Sequence, residues 1–294
     1  MLNALTIDLE DYWDVYSHDW LGIEIEPTEA VLQNTQWFLE TLKRFDVKAT
    51  FFVLGGIAKV FPNLIKQIAE DGHEIASHGI GHTQIFKLDK KGFRSDIVAS
   101  KKLLEDLVSR PVWGYRAPAF SIVPETRWAL EVLAEVGFKY DSSVFPIAGR
   151  RYGWPGFSKC ICEIELPSGS NIIEVPLSTI RVLGRSVPVG GGGYMRHFPY
   201  GFTRWALRHI QKEKPAIVYL HPYEIDTRSK QFDIVHLSPE DQKKAIRHHK
   251  IQLRNRNTVR VKIVRLLSEF EFAPIRQVIA RCGNLRSCTI KGAG

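Results

Sequence analysis

The chain has 294 residues, 44% of them hydrophobic and 24% charged, enough to bury one large core or two ordinary ones and too apolar for a disordered or fibrous polymer. Its formal charge is +8, which taken alone points to nucleic acid or an anionic membrane as partner. Yet residues 1–239 hold 27 basic and 28 acidic side chains, while residues 240–294 hold 13 and 4, so the excess sits at the end of the chain and a dedicated nucleic-acid-binding fold is disfavoured.

In chain order, Leu2 to Leu9 reads as a strand ending in acid, and Pro27 to Phe45 as a helix with Val31, Thr35, Phe38, Leu39 and Leu42 on one stripe. Thr50 to Leu54 is a buried-strand run closed by Gly55-Gly56. A helix follows from Pro62 to Glu70 and stops at Asp71-Gly72. Glu74 to Ser77 is the third strand, Asp89 to Val108 a helix and Val112 to Arg116 the fourth strand. Pro124 to Val136 is a helix ending at Gly137, and Lys139 to Asp141 begins a fifth strand. This alternation is the pattern of a parallel sheet or (β/α) barrel.

Residues 145–200 break the rhythm, with a hairpin around Pro167-Ser168-Gly169. Helix and strand return at Phe202 to Gln211 and Ala216 to Leu220. From Ser238 the pattern turns helical and basic, with Val261, Val264, Leu267 and Phe270 as a packing face. Two units are therefore expected: residues 1–237, carrying the chemistry, and a basic helical extension over 238–294 packed on it.

The start of the chain lacks the features of a signal peptide, and no run approaches the roughly 18 apolar residues of a membrane span. Cys160, Cys162, Cys282 and Cys288 lack C-x-x-C spacing and are expected as free thiols. A cytoplasmic location is the resulting expectation, with the basic extension offering peripheral contact to the inner membrane, an anionic glycan or a protein partner.

In parallel α/β folds, loops at the carboxyl ends of strands build the active site. Those ends here carry Asp8-Leu9-Glu10-Asp11, His78-Gly79-Ile80-Gly81-His82, Arg116-Ala117-Pro118, Asp141-Ser142-Ser143 and His221-Pro222-Tyr223-Glu224. Two histidines four apart after one strand, with carboxylates at the end of another, describe a catalytic metal site of the zinc or non-haem iron type. On an extended strand Asp8 and Glu10 share a face. One carboxylate can ligate a metal while a neighbour takes a proton from water, and His221 can act as general acid.

With these motifs in this order, the sequence resembles the polysaccharide deacetylases of carbohydrate esterase family four, the NodB-homology fold. Asp8 with Glu10 or Asp11 looks like the first motif, His78-x-x-x-His82 the second, Arg116-x-Pro118 the third, Asp141 the fourth and Leu220-His221 the fifth. The Asp-x-Glu-Asp-aromatic start, Ser77-His78-Gly79 and His221-Pro222-Tyr223-Glu224 are closer still to the branch linked to bacterial exopolysaccharide loci. Unlike the common first motif, Leu9 separates Asp8 from the next carboxylate. Gly79 also stands where a Ser or Thr usually follows the first histidine.

The resemblance implies an α/β fold, a distorted (β/α) barrel with the basic helical extension added. It implies hydrolysis of N-acetyl groups from the amino sugars of a polysaccharide or oligosaccharide, without nucleic acid. The cofactor would be a divalent metal, zinc, on His78, His82 and either Glu10 or Asp11. Asp8 would be the base, held by Arg116, and His221 the acid, oriented by Asp141. A backbone N–H near Ala119 or Phe120 would stabilise the oxyanion. Trp13, Phe120 and Tyr194, with Tyr12 and Trp154, are the aromatic residues near the loops that would take sugar rings. The glycines 190–193 lack the Lys-Ser/Thr of a phosphate loop, leaving a close backbone approach to a glycan and a flexible loop both open. An amidohydrolase acting on a small amide and a non-catalytic glycan-binding protein are the competing readings.

Overall fold

Asn3–Leu9 (β1) is buried at every position, the mark of a strand covered on both faces. It begins a computed structural model that describes all residues except 18–20, 24, 150–151, 229–233 and 289–294. Five residues, Tyr12–Tyr16 (α1), then Glu29–Arg44 (α2), lead to Thr50–Val53 (β2). In α2 the Thr28 side chain caps the first turn, with Glu29 at its start and Lys43 and Arg44 at its end, charges that suit the helix dipole. Gly55–Val60 (α3) and Pro62–Glu70 (α4) precede Glu74–Ser77 (β3). Lys90–Val108 (α5) is capped by Asp89, which accepts from Gly92 N–H at 2.7 Å. Gly114–Tyr115 (β4), Trp128–Val136 (α6) and Tyr140–Asp141 (β5) complete the alternating half.

The expected hairpin is Cys162–Glu165 (β6) with Asn171–Glu174 (β7). A second one, Thr179–Val182 (β8) with Arg185–Pro188 (β9), went unread in the sequence. Its turn is Leu183-Gly184, both at positive φ, and Leu at the first position hides the usual Asn-Gly signal. Gly192–His197 (α7), Tyr200–Ile210 (α8) and Ile217–Leu220 (β10) follow. The terminal segment has Pro239–Leu253 (α9), Val259–Glu269 (α10), Phe272–Ala273 (β11), Ile275–Arg281 (α11) and Arg286–Cys288 (β12).

The main sheet runs β10, β1, β2, β3, β4, β5, β7, β6, β12, with β11 also beside β1. All pairings from β10 to β7 are parallel, and only β6 with β7 is antiparallel. The result is the expected α/β architecture, a distorted barrel whose strand pairing does not close. On the outer edge of β10, Gly191 forms a parallel bridge with Tyr219, and Tyr219 N–H donates to Gly190 O at 3.0 Å.

The last 55 residues are more than a helical extension. Here β11 pairs with β1 and β12 pairs with β6, while Val259, Ile263, Leu266, Leu267, Phe270 and Phe272 join the same core cluster as Leu5, Ile7 and Leu9.

Candidate active site

Because β10, β1, β2, β3 and β4 are consecutive parallel neighbours, their carboxyl ends open on one side. Asp8 closes β1 and Glu10 follows it, His78 follows β3, Arg116 follows β4 and His221 follows β10. All five are buried. Asp8, Glu10, His78, His82 and His221 line one cavity of about 170 Å³.

Glu10 Oε1 lies 3.0 Å from His78 Nε2 and 3.3 Å from His82 Nε2, and the three ligand atoms are within 4.8 Å of one another. The Nδ1 atom of His78 is 2.7 Å from the Arg116 carbonyl oxygen. That contact puts the hydrogen on Nδ1 and turns the Nε2 lone pair toward Glu10. Two lone pairs at 3.0 Å repel unless a cation or proton lies with them, so this donor set fits a divalent metal. The Glu10 carboxyl is held well below the usual carboxylate range. Burial alone would raise it, but His82 and His221 by charge, and His78 and His82 by hydrogen bonding, outweigh burial.

Asp11 is placed elsewhere. Its carboxylate accepts from Trp13 N–H at 3.1 Å and from Thr28 N–H, fixing the start of α1 to the start of α2. Adjacent residues leaving a strand point to opposite sides, so Asp11 turns away when Glu10 faces the histidines, and the geometry assigns the carboxylate position to Glu10.

Asp8 Oδ1 pairs with Arg116 Nη1 at 2.5 Å. The guanidinium also donates to Thr6 Oγ1, Ser142 O and Ser142 Oγ at 2.8–2.9 Å, and it stacks 4.0 Å over the Phe52 ring. The other carboxylate oxygen of Asp8 faces His221 Nε2 at 3.7 Å, and Glu10 Oε2 faces the same nitrogen at 3.9 Å. Burial lowers the proton affinity of His221, but Glu10, Glu224 and Asp8 reverse this and leave it raised.

Asp141 does not reach His221 as expected. It accepts from Ser143 Oγ at 2.6 Å and Ser143 N–H at 3.1 Å, and Ser143 Oγ in turn accepts from Ala117 N–H at 2.7 Å. Asp141 is opposite Glu174 in the sheet register, so its carboxylate braces the loop after Arg116. The carboxylate that faces Nδ1 of His221 is Glu224, at 3.8 Å, three residues along the same turn.

Ala119 and Phe120 line the cavity, and both have a left-handed φ, 52° and 53°, a costly conformation for residues with a side chain. Phe120 N–H donates to Ala117 O at 3.0 Å, so of the two backbone donors expected there Ala119 N–H is the remaining candidate. Tyr12, Phe120, Tyr152, Tyr219 and Tyr223 form aromatic walls. Neither Trp13 nor Tyr194 lines the cavity: Trp13 is 3% exposed in a cluster with Tyr12 and Tyr16, and Tyr194 stands behind Tyr152 with their hydroxyls 3.2 Å apart. Trp154 packs on Phe157. His248 and Gln252 of α9 complete the wall. No local motif marks these two, and only the docking of α9 on α1, with Tyr16 stacked 5.7 Å from His248, brings them there.

Fold and site together define an α/β protein with a two-histidine, one-carboxylate centre flanked by a carboxylate–arginine pair and a third histidine. Residues 26–140 match the family model described as Polysaccharide deacetylase, and residues 142–280 match the one described as Domain of unknown function (DUF3473). A peptidoglycan-N-acetylglucosamine deacetylase of Bacillus cereus is 36% identical over 101 residues, 34% of this chain and 37% of that protein. A peptidoglycan deacetylase of Helicobacter pylori is 31% identical over 106 residues, 36% of this chain and 35% of that protein. These matches span just over a third of each relative's length. A crystal structure from Mycobacterium smegmatis, assigned as a polysaccharide deacetylase, shares the fold: TM-score 0.57, 20% identity, 98% of this chain and 94% of that one. Residues 26–140 thus carry a polysaccharide deacetylase domain, the type that the sequence motifs resemble. The site draws on both matched segments, with His78, His82 and Arg116 in the first and His221 and Glu224 in the second.

Proposed function

We propose that the protein is a metal-dependent hydrolase that removes acetyl groups from N-acetylated amino sugars of a bacterial exopolysaccharide or cell-surface glycan. The observation that carries this reading is the convergence in one cavity of Asp8, held by Arg116, and of His221 beside Glu10, His78 and His82. A divalent metal, with zinc as the proposed ion, would be held by Glu10, His78 and His82 and would supply Lewis acidity, making water more acidic and the amide carbonyl more electrophilic.

The chain's own residues supply the rest. Asp8, fixed by Arg116 at 2.5 Å, accepts the proton of the attacking water on the Oδ2 side. Ala119 N–H donates to the oxygen that gains charge as the carbonyl carbon becomes tetrahedral. His221 Nε2 delivers a proton to the departing nitrogen, without which the amine is too poor a leaving group and acetate is not released. Tyr12, Phe120, Tyr152 and Tyr223 offer ring faces to the apolar C–H face of a sugar.

The test is acetate release from acetylated chitooligosaccharides and from a bacterial exopolysaccharide, with small amides as the competing substrates. Glycan turnover that disappears in an Asp8→Asn variant with unchanged metal content supports the reading. Turnover of small amides alone would move it to an amidohydrolase, and binding of glycan without acetate release would leave a lectin-like protein.

A further inference from the structure

His221 has two working sides. Its Nε2 faces Asp8 and Glu10, and its Nδ1 faces Glu224. A histidine that is to donate from Nε2 needs its ring held and its Nδ1–H directed at an acceptor. The ring is held by Tyr223, stacked at 4.8 Å and 19°, and by Tyr219 edge-on at 5.7 Å and 88°.

Glu224 is 1% exposed, and a carboxylate that deep requires compensating partners. They come from two other elements. Arg196 of α7 pairs with Glu224 at 3.3 Å and is itself anchored to the carbonyl and side-chain oxygens of Gln252. Arg256, also 1% exposed, stacks 4.4 Å over Tyr12 and 5.3 Å from Tyr223, and donates to Gln252 O at 2.9 Å and Asp226 O at 3.2 Å. Burial alone would raise the proton affinity of Glu224, but the facing His221 and then the charges of Arg196 and Arg256 outweigh it and leave it lowered. Glu224, Arg196 and Arg256 all lie within the segment matched by DUF3473.

We propose that Glu224 is the positioning carboxylate of His221, and that the C-terminal segment completes the catalytic centre, with Gln252 anchoring the Arg196 that pairs with Glu224 and Arg256 packing against Tyr223, the ring stacked on His221. The place assigned by family resemblance to Asp141 is thereby taken by a residue of the His-Pro-Tyr-Glu turn itself, and Asp141 keeps its bracing contacts to Ser143. This inference rests on the deacetylase reading, since it concerns the proton that the departing nitrogen receives.

The experiment uses the leaving group. Purified full-length protein and its Glu224→Gln variant are assayed side by side on an N-acetylated chitooligosaccharide and on 4-nitrophenyl acetate, whose phenolate departs without a proton. Because both rates come from the same sample, their ratio does not depend on how much of the variant is folded. The expected result is a fall of about 10- to 100-fold in the ratio of amide to ester turnover, the scale seen when a group that orients a histidine is lost. The fall should lie in kcat with little change in KM, and the His221→Ala variant should show the same pattern more strongly. Glu224→Asp, which retracts the carboxylate by one methylene, should fall between, and it decides on the same ratio where Glu224→Gln yields no folded protein. A ratio equal to that of the wild type, whether both rates fall or neither does, overturns this inference alone. Wild-type protein that hydrolyses the ester and no acetylated glycan overturns the deacetylase reading and this inference with it.

Discussion

Asp141 and Glu174 face each other on neighbouring strands, both fully buried. Burial raises the proton affinity of Glu174 well above the ordinary carboxylate value, and the charge of Asp141 adds to it. A carboxyl whose folded pKa is raised stabilises the fold below its unfolded pKa, and that stability is lost as pH rises through the folded value. Glu174→Gln keeps a neutral donor toward Asp141, so thermal unfolding across a pH series should show a flatter decline with rising pH, above the ordinary carboxylate range, than the wild type. An equally steep decline would show that the pair does not titrate in this way. Arg116 is the opposite case, a cation with no exposed surface whose partners Asp8, Thr6 and Ser142 are all buried. Arg116→Ala leaves Asp8 unpaired in the interior and should cost about 3–5 kcal/mol in denaturant unfolding, in addition to loss of turnover. The positions of Asp8, His78 and His221 were legible because each lies at the end of a strand, and that of His82 because it follows His78 by four residues. The choice between Glu10 and Asp11 was not, because it depends on how the chain turns after β1 toward Thr28, which no local pattern encodes.

At the scale of elements, Gly191 is required by a contact within the chain, which neither approach to a glycan nor a flexible loop describes. A Cβ on Gly191 would overlap the carbonyl oxygen and ring of Tyr219, where the chain bridges the outer edge of β10. Gly191→Ala should therefore displace β10, which carries His221 at its end, with a cost of about 1–3 kcal/mol as for other overpacked sites. By contrast Gly201 in α8 has nothing within 4 Å of its Cβ position, and Gly201→Ala should be neutral or stabilising by up to about 1 kcal/mol. Urea unfolding of the two variants separates them, and equal effects would contradict the contact. Helix α9 carries four of the segment's basic side chains. One side holds Ala245, His248 and Gln252 toward α1 and the cavity, and the other exposes Lys243, Arg247 and Lys250, with Arg254 just past its end. Periodicity foretold a basic helix there, yet the sequence alone said nothing about which site its polar inner face would line.

Across the whole molecule, the C-terminal segment is a structural part of the barrel. Val259, Ile263, Leu266, Leu267, Phe270, Phe272, Ile275 and Val278 are all buried, and each fully buried side chain of this size contributes about 1.5–3 kcal/mol. Their sum, about 12–24 kcal/mol, is at least comparable with the whole net stability of a typical domain, about 5–15 kcal/mol. A chain cut after residue 237 should therefore show no cooperative thermal transition by circular dichroism. A sharp transition in that fragment would mean that the first 237 residues form a core of their own.

The sequence by itself determined the alternation of strands and helices, the parallel α/β class and the polar residues at strand ends, since these follow from periodicity, caps and breakers acting over a few residues. Only the tertiary structure decided that Glu10 joins the histidines, that Arg196 pairs with Glu224 and that the basic tail lines the cavity. Those are distances between residues as far apart as Tyr12 and Arg256, set by strand order and helix docking, and spacing along a chain carries no information about them.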